Sequence, residues 1–236
     1  MPDFSVALAV YDFAPVALIG LAFGLLVAVA RAVDRACYPM MLLGGVLVVS
    51  GGFAKALWKL IVALTGQDLG WLAMMLFPLM APGFVLSAVA AWGLLDRVLG
   101  RPARLGWSAA LLALALMAVA VGVREWLLSI PRGWFLPLLA FVSLGNLILS
   151  LQLIRISLRL RRRSAALLFG LNLLVVFALP PIAIAGPATI WMHWLEQTLT
   201  TFGAGCFAAA AYLLWRSTQC RREGQADLEC DEDARS

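Results

Sequence analysis

The side chains best suited to chemistry lie in one short segment. In Ser50-Gly51-Gly52-Phe53-Ala54-Lys55-Ala56-Leu57-Trp58-Lys59, two lysines interrupt an otherwise apolar run. A lysine at the centre of a bilayer costs about 2.5–3.5 kcal/mol on insertion scales, so two of them one helical turn apart need compensation. Gly44, Val48, Gly51, Lys55 and Lys59 follow one another at steps of four, three, four and four, which places them on one helical face. A glycine-rich face packs against a neighbouring helix, so the lysines are expected to point into a bundle and away from lipid.

Lys59 precedes Gly66 by seven residues, roughly 10 Å along a helix, which sets both lysines in the outer half of a membrane. The acidic residues expected at that level are Asp12, Asp68, Glu125 and Glu196, with Arg124 and His193 close in depth. This pattern predicts a polar, cationic, partly hydrated cavity on the outer side. Lys55 and Lys59 would contact an anionic or zwitterionic ligand, and Trp58, Trp71, Trp191 and Trp194 would wall it. Structural ion pairing is the competing explanation, and Lys59 also has the length to snorkel to the interface.

Other constellations point to little chemistry. Asn146, Gln152 and Asn172 are amides of the kind that bond between membrane helices. His193-x-x-Glu196 puts two polar groups on one helical face and reads as an interfacial hydrogen-bonded pair. His193 is the only histidine, which excludes a haem held by two imidazoles. Nucleophile-elbow, zinc-protease and phosphate-loop motifs are missing from the sequence. The four cysteines, Cys37, Cys206, Cys220 and Cys230, form no CxxC, so neither a zinc site nor structural disulfides are expected. No cofactor, metal or catalytic residue is predicted, and an intramembrane enzyme acting on lipid is the weakest of the functional readings.

The elements that position these residues follow from hydropathy. The 236 residues are 63% hydrophobic and 13% charged, where a soluble domain carries about a quarter charged. With a mean hydropathy of +0.94, lipid is the expected solvent. Seven apolar runs are predicted as spans: Phe13–Ala32, Pro39–Leu64, Leu69–Leu95 with Pro78 and Pro82 inside, Leu105–Val123, Trp134–Ile154, Ala165–Ala185 and Thr198–Trp215. The fold class is therefore an all-α, polytopic seven-transmembrane-helix bundle over residues 1–222. Residues 223–236, with Asp227, Glu229, Asp231, Glu232 and Asp233, read as a disordered acidic cytoplasmic tail.

The net charge of +5 does not imply nucleic acid, because the arginines flank the apolar runs as stop signals do. Arg31, Arg35, Arg97, Arg101 and the run from Arg155 to Arg163 fall on one side, and only Arg124 and Arg132 on the other. The positive-inside rule then puts the C-terminus in the cytoplasm and the N-terminus outside. No cleavable signal peptide is read at the N-terminus. Arginine-, alanine- and leucine-rich composition fits a bacterial inner membrane. Phe13-Ala14-Pro15 and Phe135-Leu136-Pro137 open the first and fifth spans alike, a hint of two three-helix halves joined by the fourth helix. Two functions are carried forward. One is a small-molecule transporter or carrier. The other is a ligand sensor or membrane-anchor subunit, whose basic loops and acidic tail would dock a protein partner at the cytoplasmic face.

Overall fold

The computed structural model describes residues 5–103, 105–185 and 190–233, and within these the side chains at 180–185, 190 and 220–233 are not described. Among the described residues the regular elements are all helices, with no strand. The helices are α1 (Val6–Tyr11), α2 (Phe13–Val33), α3 (Tyr38–Thr65), α4 (Gly70–Met74), α5 (Leu76–Val98), α6 (Trp107–Gly122), α7 (Phe135–Arg159), α8 (Arg163–Ala185) and α9 (Ile190–Asp233). A π-helical turn, Val123–Leu127, extends α6.

Six helical stretches among the described residues are long and apolar enough to cross a membrane: Val6–Val33, Tyr38–Thr65, Gly70–Val98, Trp107–Leu127, Phe135–Arg159 and Trp191–Gln219. The apolar part described for α8, Arg163–Leu179, is shorter. The predicted sixth span is thus present as a helix, though not among the six. The last helix begins at Ile190, eight residues before the predicted start at Thr198. Pro187 lies outside the described residues, and the expected tail 223–236 falls where side chains are not described.

Prolines explain two helix breaks. A proline has no N–H to give the carbonyl four residues back, and its ring crowds that carbonyl. Four residues before Pro15 is Tyr11, where α1 ends. Four residues before Pro78 is Met74, where α4 ends. Pro39, in contrast, sits in the first turn of α3, where its missing N–H costs nothing.

Six helices close into a ring. The packing order is α2, α3, α5, α7, α8, α9 and back to α2, while α6 rests outside against α5 and α7. Only Ala110 of α6 is buried. The tightest crossing, α3 on α5, is set by glycine. A methyl group at Gly83 would fall 2.9 Å from the Gly44 carbonyl oxygen, and one at Gly44 would fall 2.7 Å from that of Gly83. The sequence reading of this face as a packing face is therefore realised in backbone contact.

The core is not centred. Leu26, Met41, Leu94, Leu149, Phe169 and Leu214 are fully buried, one from each ring helix, and all sit toward the arginine-rich end. Asp34 locks that end, accepting from Arg97 Nε at 2.9 Å and from the Ala36 N–H at 2.9 Å. Burial works to raise this acid, but the Ala36 N–H and the Arg97 guanidinium outweigh it and hold the carboxyl below its ordinary value. The lock is complete at neutral pH and is lost as pH falls through that depressed value. Burial, helped by the Asp34 charge, pushes the adjacent Cys37 thiol up to about 11, so it stays protonated and inert. Asp96, read from sequence as loop, is buried in the last turns of α5.

Gly83→Val should lower the melting temperature of the detergent-purified protein, because overpacking a crossing costs about 1–3 kcal/mol. Gly24→Ala, where a methyl group meets nothing within 4 Å, should leave it unchanged or raised.

Candidate functional site

The site begins with the break that Pro15 imposes. The break leaves Asp12 between α1 and α2, with its carboxylate turned against α3. Lys59, two turns before the end of α3, pairs with Asp12 Oδ2. Both partners are largely sheltered, with side-chain exposures of 18% for Lys59 and 8% for Asp12. The other oxygen, Asp12 Oδ1, is buried and has no hydrogen-bond partner among the described residues.

Lys55 lies one turn below Lys59 on the same helical face. It is accessible and makes no salt bridge among the described residues. Lys59, Asp12 and Glu196 act on it at longer range. All four charged groups line one cavity of about 370 Å³ between α2, α3, α5 and α9, with Gln197 and Thr200 completing its polar side. Two lysines face two carboxylates, so the cavity is formally balanced and not cationic as the sequence predicts. Its walls are aliphatic, among them Ile19, Val48, Leu76 and Met80, and none of the four predicted tryptophans lines it.

The other predicted residues are elsewhere. Trp58 donates from Nε1 to Asp68 Oδ1 at 2.8 Å, and both border a separate cavity of about 660 Å³ with Arg124, Arg132 and Trp134. Arg124 Nε donates to the Gly133 carbonyl at 3.2 Å, a carbonyl left without its helical donor because Pro137 stands four residues on. Glu125 Oε2 accepts from the Trp134 N–H at 3.2 Å. The Arg124 and Glu125 contacts hold the turn between α6 and α7 in shape. His193 Nδ1 stands 3.9 Å from Glu196 Oε2, and only Glu196 reaches the lysine cavity. No cluster of metal-binding side chains occurs among the described residues.

The amides depart from expectation. Gln152 accepts from Arg155 at 3.5 Å, within its own helix. Asn146 of α7 and Asn172 of α8 make no hydrogen bond among the described residues and instead line a third cavity, of about 330 Å³. This one shares Pro15, Ile19, Val48, Met80 and Thr200 with the lysine cavity, so the two are adjacent. Polar residues in apolar runs were visible in the sequence. That they share a cavity was not, because the cavity joins helices far apart in the chain.

Asp12→Asn should remove the negative charge paired with Lys59 and destabilise the protein by up to about 3–5 kcal/mol, the usual cost of breaking a sheltered pair. The double variant Asp12→Leu/Lys59→Met should recover most of that loss in a thermal melt. A double variant as unstable as the sum of its singles would show that the pair is not coupled. Comparison with protein-family models, with curated proteins and with solved structures finds no match for this chain.

Proposed function

We propose that this chain is a multi-pass protein of a bacterial inner membrane that carries a small zwitterionic solute. In this reading α8 is the sixth of seven spans, the N-terminus is outside and the C-terminus cytoplasmic. The apolar helices support the lipid setting, and the arginine bias supports the orientation. The lysine cavity then opens on the outer side.

One observation carries the ligand class. Lys55, which makes no salt bridge among the described residues, and Asp12, whose buried Oδ1 has no donor among them, border the same cavity. A zwitterion satisfies both at once, its carboxylate on Lys55 and its ammonium on Asp12, with Glu196 adding negative charge nearby. A plain anion would satisfy only Lys55 and would meet two carboxylates.

Transport is supported by where the packing lies. The arginine end is filled by large side chains and tied by Asp34 and Arg97, while the cavities occupy the other half. This is the arrangement of a carrier caught open to one side. The ring order also suits two halves, α2-α3-α5 and α7-α8-α9, linked by α6. Within each half the strongest packing joins its last two helices, and the last helix of each half packs on the first helix of the other. Such halves rock against one another around a shared site in many carriers. The exposed face of α6, with Leu111, Leu112, Leu116 and Val119, supports a second reading in which the same site serves as a sensor for a partner subunit.

The test is uptake of radiolabelled common α-amino acids into liposomes containing the purified protein. At least one should accumulate, and Lys55→Met should reduce its uptake tenfold or more, about 1.4 kcal/mol of lost binding. Undiminished uptake by Lys55→Met contradicts the site. Binding without uptake favours the sensor.

A further inference from the structure

The inner cavity has a character of its own. Every ring helix contributes to it, through Ile19, Val48, Phe84, Asn146, Asn172 and Phe207 among others. Its lining is mostly apolar and aromatic, and none of the described residues that line it is charged. Asn146 is 7% exposed and Asn172 5% exposed, yet neither makes a hydrogen bond among the described residues. Buried amides nearly always find partners, and an amide left without one is destabilising. Both line the cavity, each offering an N–H donor and a carbonyl acceptor. Thr200, which borders both cavities, spends its hydroxyl proton on the Glu196 carbonyl at 2.8 Å, so its oxygen is left as an acceptor.

We infer that the two cavities form one composite site in which the outer compartment takes the zwitterionic head and the inner one selects the side chain. This rests on the zwitterion reading and extends it to a substrate class: an α-amino acid with an uncharged side chain that ends in a hydrogen-bonding group. The aromatic and aliphatic walls accept the apolar part of that side chain. The two amides pair with its polar tip. A charged tip is excluded because no counter-charge lies in the inner cavity, and a wholly apolar tip leaves both amides unpaired, which discriminates strongly against it.

Thermal shift and equilibrium binding on the full-length protein test this with two matched pairs, tyrosine against phenylalanine and glutamine against norleucine. In the unaltered protein the polar-tipped member of at least one pair should bind tenfold or more tighter than its apolar mate. In Asn146→Leu/Asn172→Leu that preference should vanish or reverse, while phenylalanine or norleucine still binds and the melting temperature does not fall. That retained binding shows the variant is folded. A polar-tip preference that is absent from the unaltered protein, or that persists in the double variant, overturns the inference and leaves the zwitterion reading standing if Lys55→Met still abolishes binding. p-Cresol, a tyrosine side chain without its head, separates the two failures. If p-cresol binds, loses affinity in the double variant, and no amino acid binds, the inner pocket is real and the zwitterion head is wrong. If neither p-cresol nor any amino acid binds, both fall.

Discussion

A charge carried into an apolar bundle must be neutralised nearby, and the rest of this site follows from how that is done. Lys59 is neutralised by Asp12, which sits at a helix break and not within a regular helix. Because the pair uses only one carboxylate oxygen and one of the two lysines, it leaves an acceptor without a donor and a second lysine without a salt bridge among the described residues. A symmetric arrangement of two closed ion pairs would have produced a purely structural cluster. In the proposed reading, the asymmetry is what would turn a stabilising interaction into a recognition surface.

Prolines and glycines supply the backbone geometry that makes this possible. Pro15 breaks the first span so that Asp12 meets α3, and Pro78 breaks the third near Met74, on the wall side of the same half. Gly44 and Gly83 draw α3 and α5 into contact near the middle of the bundle, and large side chains fill the arginine end. Close packing at one end and helix breaks at the other leave the described cavities in the lysine half. The cavity is thus a consequence of where small, large and ring-closed residues fall along each helix.

Much of this was legible in the sequence. Apolar runs gave the helices, and the step pattern from Gly44 to Lys59 gave the packing face and the common face of the two lysines, of which Lys59 is sheltered and Lys55 accessible. Asp12 and Glu196 were reachable because their depth follows from span boundaries. Asp68, Arg124 and Glu125 share that depth but not that side of the ring, and depth alone carries no azimuth. The site was read as cationic because the carboxylates could not be assigned to it one by one. Asn146 and Asn172 were expected to bond across helices, since local sequence does not reveal that both border a cavity. The start of the last helix was missed because its first two turns, with His193 and Glu196, are too polar for a hydropathy window centred on lipid.

The most direct measurement is an experimental density map of the protein in a lipid nanodisc. The account predicts the Lys59 ammonium against Asp12 and the Lys55 ammonium facing the enclosed space between α2, α3 and α9, with density for a bound zwitterion bridging Lys55 and Asp12 when one is supplied. Both lysines extended among the phospholipid head groups, with Asp12 turned away, would contradict it.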